Sequence, residues 1–312
     1  MGLLRKLLAN GPVLQLLRAQ SRRRSRVLVY HRIVDDHCDP LVRQLLGGAI
    51  TRSAFAAQLN YLSRHYHTVS LQHLLANRDA TTNMVAITFD DGYADNLDNA
   101  MPLLKQHSMP ATLFVSTGFV GTDRRFWRDL LARKVASNGS ERLSFHTGDG
   151  IVSFRFNGQH NKQARSTAQW LERLPEKKRD ALLGDLDRND ADRFLTIEEL
   201  KQLEHNGFKI EAHGVSHVRL SRLKRHEILL ELVKSKQTLE GILKRPVTLL
   251  AYPFGERGDF NEATKQAARE AGYHAAVAGY RGVVDRNTDL FAIPRIPTNE
   301  DLDRFKLRLA RY

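Results

Sequence analysis

Two segments of the chain end a strand-like run in side chains able to bind a cation or move a proton. In Val85-Ala86-Ile87-Thr88-Phe89-Asp90-Asp91-Gly92-Tyr93 the run stops at two adjacent carboxylates and a glycine. Neighbouring residues at a strand end diverge, so one carboxylate can hold a metal while the other stays free to accept a proton. A solvated turn with Asp91-Gly92 at its tip would use the same residues, and for an isolated Asp-Asp-Gly that is the commoner use. In Phe208-Lys209-Ile210-Glu211-Ala212-His213-Gly214-Val215-Ser216-His217 a second run stops at a histidine, with another four residues on. Two imidazoles at that spacing can converge on one cation, and with Asp91 they would make a two-histidine, one-carboxylate site that leaves positions open for water. A chain with 13 histidines will place some pair four apart by chance. The weight therefore lies in two strand ends that offer complementary ligands.

These ends need a scaffold. Short β-branched or apolar runs read as strands at 27–30, 84–89, 111–116, 208–212, 247–252, 274–278 and 291–293, and segments of helical period lie at 52–65, 96–107, 197–206, 225–243 and 261–271. Runs apolar on successive residues are buried on both faces, so the alternation predicts an α/β fold with a mainly parallel sheet, either open or closed into a barrel. Chemistry in such folds collects at the C-terminal strand ends, where Asp90, Asp91 and His213 fall. The stretch 121–193 breaks the alternation with a helical piece after Phe126-Trp127, a hairpin-like pair around Thr147-Gly148-Asp149-Gly150, and two charged helices either side of Pro175. It reads as an insertion over one edge of the core. Within it Asp185, Asp187, Asn189 and Asp190 partly follow a calcium-loop spacing, but Asp190 stands where that loop needs glycine and Thr196 where it needs glutamate. The cluster reads as a solvated helix end.

The 312 residues are about two domain-lengths at ~150 each, or one α/β domain with insertions. A content of 42% hydrophobic and 27% charged residues excludes wholesale disorder and fibrous repeats. The single cysteine, Cys38, excludes a disulfide framework, a multi-cysteine zinc ribbon and an iron–sulfur site, so a metal needs His and carboxylate ligands. The net charge of +13 is uneven, because residues 1–26 hold Arg5, Lys6, Arg18, Arg22, Arg23, Arg24 and Arg26 and no acid. This arm carries Leu3, Leu4, Leu7 and Leu8 at helical spacing, a Gly11-Pro12 break, and then Val13, Leu14, Leu16 and Leu17. It reads either as a basic amphipathic segment on an anionic membrane surface or as a helix packed on the domain with solvated arginines. Asn10, Gly11, Pro12 and Gln15 interrupt the apolar stretch a cleaved signal would need. Lys6 stands where myristoylation of Gly2 would want Ser or Thr. Nucleic-acid binding is disfavoured, since the basic run lacks interleaved aromatics, and no stretch approaches the ~20 apolar residues of a spanning helix.

The two segments resemble motifs of the polysaccharide deacetylases that carry the nodulation-type deacetylase homology domain, carbohydrate esterase family 4. Thr88-Phe89-Asp90-Asp91-Gly92 is similar to the first motif, which implies Asp90 as general base and Asp91 as metal ligand. His213-Gly214-Val215-Ser216-His217 is similar to the second, His-Ser/Thr-x-x-His, which implies both histidines as ligands; Gly214 replaces the hydroxyl residue, with a loss of loop hydrogen bonding that spares the ligands. Ala251-Tyr252-Pro253-Phe254-Gly255 resembles the third motif, Arg-x-Pro-Tyr-Gly, and implies an oxyanion-binding backbone N–H in the turn of Tyr252, Pro253 and Phe254. Ala251 stands in place of its arginine, so the group orienting Asp90 must come from elsewhere, with Arg295 of Pro294-Arg295-Ile296-Pro297 as the candidate. No Leu-x-x-His follows residue 280; instead Val27-Leu28-Val29-Tyr30-His31-Arg32 stands at the front, similar to the circularly permuted poly-N-acetylglucosamine deacetylases, which implies His31 as the catalytic acid.

The resemblance implies an irregular (β/α) barrel over 27–312, with the insertion at about 121–193 and a separate arm at 1–26. It also implies a divalent metal, Zn2+ by default, and an N-acetylated glycan, polysaccharide or precursor, as substrate. Two rivals stand beside N-deacetylation: cleavage of an O-acetyl ester, where protonating the leaving group matters less, and a glycan-binding relative without turnover. The expected location is the cytoplasm, peripheral on the inner membrane face.

Overall fold

The computed structural model describes residues 2–79, 83–137, 142–148, 150–155, 160–184 and 192–312; Asp149, Asp185, Asp187, Asn189 and Asp190 lie outside the described residues. Two short helices, α1 (Gly2–Asn10) and α2 (Pro12–Ser21), precede β1 (Arg26–Tyr30). The short strands β2 (Ile33–Val34) and β3 (Ile50–Thr51) flank α3 (Pro40–Leu45) and lead through α4 (Arg52–His65), β4 (His67–Thr68) and α5 (Leu71–Ala76) to β5 (Met84–Phe89). A π-helical turn at Asn96–Ala100 runs into α6 (Met101–Gln106) and then β6 (Ala111–Val115). The insertion consists of α7 (Trp127–Ser137), the hairpin of β7 (Arg142–Thr147) and β8 (Gly150–Arg155), α8 (His160–Arg173) and α9 (Glu176–Leu183). The chain then alternates through α10 (Ile197–His205), β9 (Phe208–Ala212), α11 (Arg225–Leu243), β10 (Leu249–Ala251), α12 (Glu262–Glu270), β11 (Ala275–Val277), β12 (Ile296–Pro297) and α13 (Leu302–Arg311).

The main sheet is parallel throughout, in the order β11-β10-β9-β6-β5-β1-β12, with β4 paired to the start of β5. β1, β5 and β6 are buried at every position, as their unbroken apolar runs require. Register pairs Tyr30 with Phe89, Phe89 with Leu113 and Val115 with Ala212, so His31, Asp90, Asp91 and His213 leave the sheet at one rim. The sheet curls until one segment spans its edges. Ala276 N–H bonds to Leu290 O, Ala278 N–H to Ile293 O, and Ile296 pairs with Leu28. The fold is thus an irregular (β/α) barrel.

Strands 84–89 and 208–212 and helices 52–65 and 225–243 match the sequence expectation. The expected strand at 291–293 is reduced to a bridge between Val277 and Ile293, and pairing resumes at 296–297 beyond Pro294, which has no N–H for the ladder. The expected helix at 96–107 begins as a π turn because Pro102 cannot donate to the carbonyl four residues back.

The arm boundary also needs correction. Arg26 is the first residue of β1 and is fully buried, its guanidinium donating to Leu309 O, Ser21 O, Arg24 O and Asn83 Oδ1. Two of these carbonyls lie at the ends of α13 and α2, where helices leave acceptors unsatisfied. The arm itself is docked: Ala9 and Leu14 are buried, Arg5 pairs with Asp301 at 2.7 Å, and Arg18 contacts His65 Nδ1 at 2.7 Å.

The insertion has its own apolar cluster, in which Leu131, Val135, Phe145 and Leu171 pack with Leu41 and Leu45 of α3. A buried charge network joins it to the barrel. Arg32 donates to Asp95 at 2.8 Å and Asp192 at 2.5 Å, lies 3.6 Å from Asp129, and sits over the Tyr93 ring. Tyr93 donates its hydroxyl to Asp129 at 2.9 Å. Burial pushes the Asp129 carboxyl from 3.8 up to about 7, against the pull of Arg32. The folded protein therefore holds this proton more tightly than the unfolded chain, and the resulting stability is present at low pH and lost as pH rises toward 7. Asp129→Asn, neutral at every pH, should gain in unfolding free energy relative to the parent as pH rises from about 4.5 to about 7.5, by on the order of 2–4 kcal/mol, read from melting curves. A difference that does not change with pH would refute this assignment.

Candidate metal centre

Asp90 and Asp91 follow the last residue of β5, and His213 follows the last of β9. Their backbones are tied to neighbouring strands: Asp90 N–H donates to Tyr30 O at 3.0 Å and His213 N–H to Val115 O at 2.9 Å. Gly92, with φ of 95°, passes so close to β6 that a Cβ would meet Val115 at 3.2 Å. Of the five non-glycine residues with left-handed backbone among those described, Asp91, His217 and Phe254 all belong to this rim. Such conformations persist where the surroundings enforce them.

Asp91, His213 and His217 present ligand atoms within 4.8 Å of one another. Asp91 Oδ1 lies 3.5 Å from His213 Nε2 and 3.3 Å from His217 Nε2, and it is a buried oxygen with no hydrogen-bond partner. His213 Nδ1 lies 2.8 Å from Ala251 O, so the ring donates there and turns the Nε2 lone pair toward Asp91. An orphaned carboxylate oxygen beside two imidazole nitrogens, one with its tautomer fixed, fits a divalent transition metal. The electrostatics agree. Burial works against ionisation of Asp91, yet the two imidazoles hold its carboxyl well below the ordinary range. Burial draws His217 down, whereas in His213 the carboxylates of Asp90 and Asp91 outweigh burial and raise it.

Asp90 is gripped from across the barrel. Arg295, 1% exposed, donates Nη1 to Oδ1 and Nη2 to Oδ2, both at 2.7 Å. Its Nε donates to Ala278 O at 2.8 Å and Nη1 also reaches Thr88 Oγ1. Burial opposes the Asp90 charge, but Arg295 and then His213 keep the carboxyl below its usual value, so it is ionised at neutral pH. His31 follows β1 on the same rim.

The expected oxyanion turn narrows to one donor. Tyr252 N–H is committed to Val277 O at 3.1 Å, its hydroxyl to Phe291 O, and its buried ring stacks on Phe260. Pro253 has no N–H. Only Phe254 N–H lacks an acceptor among the described residues, and the Phe254 ring stands 4.8 Å from that of His217.

Sequence reasoning missed Glu231. From α11 its carboxylate accepts from Val215 N–H at 2.9 Å, Ser216 N–H at 3.0 Å and Ser216 Oγ at 2.8 Å. Ser235 Oγ donates to Gly214 O as well. The loop bearing His217 is thus fastened despite Gly214, by a helix whose sequence gives no local sign of the task.

A family model described as polysaccharide deacetylase matches residues 77–276. The Bacillus subtilis protein YxkH, whose name places it with polysaccharide deacetylases, is 22% identical over 252 residues, 79% of this chain. Poly-beta-1,6-N-acetyl-D-glucosamine N-deacetylase of Staphylococcus aureus is 27% identical over 115 residues, 34% of this chain. The alignments span 64% and 40% of the lengths of these two relatives. Among solved structures, the Streptococcus pyogenes deacetylase PplD in complex with acetate superposes with a TM-score of 0.62 at 19% identity, over 93% of this chain and 99% of that one. IcaB from Ammonifex degensii gives the same score and identity, over 93% and 98%. Both likenesses show the fold. With the family model matched across the strands that carry Asp90, Asp91, His213 and the Tyr252 turn, the chain belongs to the polysaccharide deacetylase family.

Proposed function

We propose that the chain hydrolyses N-acetyl groups of amino sugars in a polysaccharide or glycan precursor, with a divalent metal, Zn2+ by default, held by Asp91, His213 and His217. One observation carries this reading: an ionised carboxylate, Asp90, is fixed by an arginine fork next to three converging ligand groups that leave a buried oxygen unsatisfied. A bound cation would supply Lewis-acid activation of a water and of the acetamide carbonyl. Each Asp90 oxygen keeps a lone pair beyond those facing Arg295, and Asp90 takes the water's proton as its oxygen attacks the carbonyl carbon. Phe254 N–H donates to the carbonyl oxygen as negative charge develops there. His31 delivers a proton to the departing nitrogen, without which an amine leaves poorly. The products are acetate and a free amino sugar. The name of the staphylococcal relative, a poly-N-acetylglucosamine deacetylase, supports a glycan of that class.

We also assign the chain to the cytoplasmic side, resting on the inner membrane face through the arm. Leu7, Val13 and Leu16 are exposed, Val13 and Leu16 share a face of α2, and Arg22, Arg23 and Arg24 are solvated beside them. No helix among the described residues is long and apolar enough to cross a membrane. The parent chain should sediment with phosphatidylglycerol vesicles, and Leu7→Glu with Leu16→Glu should abolish this; equal sedimentation would remove the arm from membrane contact.

Asp91→Ala, His213→Ala and His217→Ala should each lose metal and acetate release together, since three ligands carry no redundancy. Asp90→Asn should keep its metal and lose turnover by about 10²–10⁴-fold. Full metal occupancy in all three ligand variants, or brisk turnover in Asp90→Asn, would dismiss the mechanism.

His31→Ala separates amide from ester chemistry. The variant should retain metal and lose about 10²–10⁴-fold on an N-acetylglucosamine oligomer, yet cleave an aryl acetate, whose leaving group needs no proton, near the parent rate. Equal losses on both substrates would give His31 a structural role instead.

A further inference from the structure

Beside His217 and Phe254 the rim opens into a groove of about 800 Å³, walled by the start of the insertion and the loop after β9. Six arginines line it, Arg124, Arg125, Arg128, Arg179, Arg219 and Arg222, against two carboxylates, Glu172 and Asp180. Those carboxylates absorb only part of the charge, Asp180 accepting from Arg179 at 3.3 Å and Glu172 from Arg219 at 2.6 Å. Arg219 is held between Glu172 and Asp259 and lies over the Phe254 ring at 4.1 Å. Arg128 reaches Glu172 only at 3.7 Å and lies over Trp127, which Arg179 approaches from 5.3 Å. Arg124 donates to Gly118 O and sits over Phe119, with no carboxylate in reach among the described residues. Arg125 donates to the Arg124 carbonyl, and its Nε is buried with no partner. Burial and the neighbouring Arg133 depress the Arg125 guanidinium, and burial does the same to Arg128 despite Glu172. Cations gathered at such a cost to themselves form a field that favours an anion.

We infer that this groove is a subsite for a phosphate group on the glycan, placed so that the phosphate meets the arginines while the neighbouring acetamide lies at the metal centre. The assignment deepens the deacetylase reading and rests on it. Guanidinium forks match phosphate oxygens bidentately, and several of them exceed what one sugar carboxylate could neutralise. Phe126, 4.4 Å from the His217 ring, lines the groove beside the metal centre and adds apolar surface suited to a sugar ring. The phosphate has two sources of one chemistry: a diphosphate at the end of a carrier-linked precursor, or a phosphodiester within the polymer.

The test is calorimetric binding by the full chain in EDTA, which suspends turnover and removes any metal–phosphate contact. The probes are an N-acetylglucosamine tetramer, its 1-phosphate, its terminal diphosphate, a phosphodiester-linked tetramer and a uronate-bearing tetramer. The phosphorylated probes should bind at least about tenfold tighter than the neutral one at low salt, an advantage that shrinks as ionic strength rises. Arg124→Gln and Arg222→Gln, each on an exposed side chain, should each cut that advantage by about tenfold. Tighter binding of the diphosphate supports the carrier-linked source, and tighter binding of the phosphodiester supports the polymer. Equal affinity for neutral and phosphorylated tetramers, an advantage untouched by both variants, or a uronate probe binding as tightly as the phosphates would overturn the proposal. Acetate release from the metal-loaded chain is measured separately. Phosphate selectivity without release would sink the deacetylase reading alone, and release without selectivity would sink the subsite alone.

Discussion

The ion pair between Asp90 and Arg295 ties the rim that carries the candidate site to the closure of the barrel. Arg295 lies on the segment that bonds to β11 through Leu290 and Ile293 and to β1 through Ile296, so the guanidinium arrives at Asp90 only when the two sheet edges are bridged. Its remaining donors satisfy Ala278 O, beyond β11, and Thr88 in β5. Removing one partner of a buried pair costs about 3–5 kcal/mol because it leaves a charge without compensation. The same contact therefore orients the Asp90 carboxylate and holds the sheet closed. Ala251 stands at the position where the family motif has its arginine, and the fork comes instead from the far edge of the sheet.

A second buried arginine does comparable work on the other side of the rim. Arg32 follows His31 directly, and its three carboxylate neighbours come from the segment after Tyr93 and from both ends of the insertion. Tyr93, two residues beyond Asp91, joins the same network through Asp129. The insertion is therefore fixed to the two segments that deliver His31 and Asp91. Its first residues, Phe126 and Trp127, come to stand beside His217, and the arginine-lined groove is the consequence of that docking.

What could be read from the sequence was what short-range pattern encodes. The strand-like segments of β5 and β9, and the polar residues ending them, lie within ten residues of each other in each case, and the candidate ligand trio follows from them. Glu231 was illegible because its hydrogen bonds run 15 and 16 residues back, from a helix face to a loop. Arg26 looked like part of a basic arm because its burial depends on carbonyls of α2 and on α13, 283 residues away. Tyr252 looked available as a donor because nothing in the local sequence shows that Val277 O takes its amide. The arm's dual reading leaned on charge, and its docking depends on acids such as Asp301 at the far end of the chain.

The rim is also where the fold departs from its own local preferences. Left-handed backbone at Asp91, His217 and Phe254 costs on the order of 1–3 kcal/mol per residue, and a buried carboxylate oxygen without a partner adds to it. These departures fall on two candidate ligand residues and the candidate oxyanion donor. Each is held by a specific contact: Ser116 N–H donates to Asp91 O, Glu231 anchors the loop before His217, and Gly279 N–H donates to Gly255 O behind Phe254. The candidate ligand side chains are thus set by the fold itself, with His213 already turned by Ala251 O. A cation between them would satisfy the Asp91 oxygen that the fold leaves unpaired, so the strain that burdens the free protein would become positional accuracy in the loaded one.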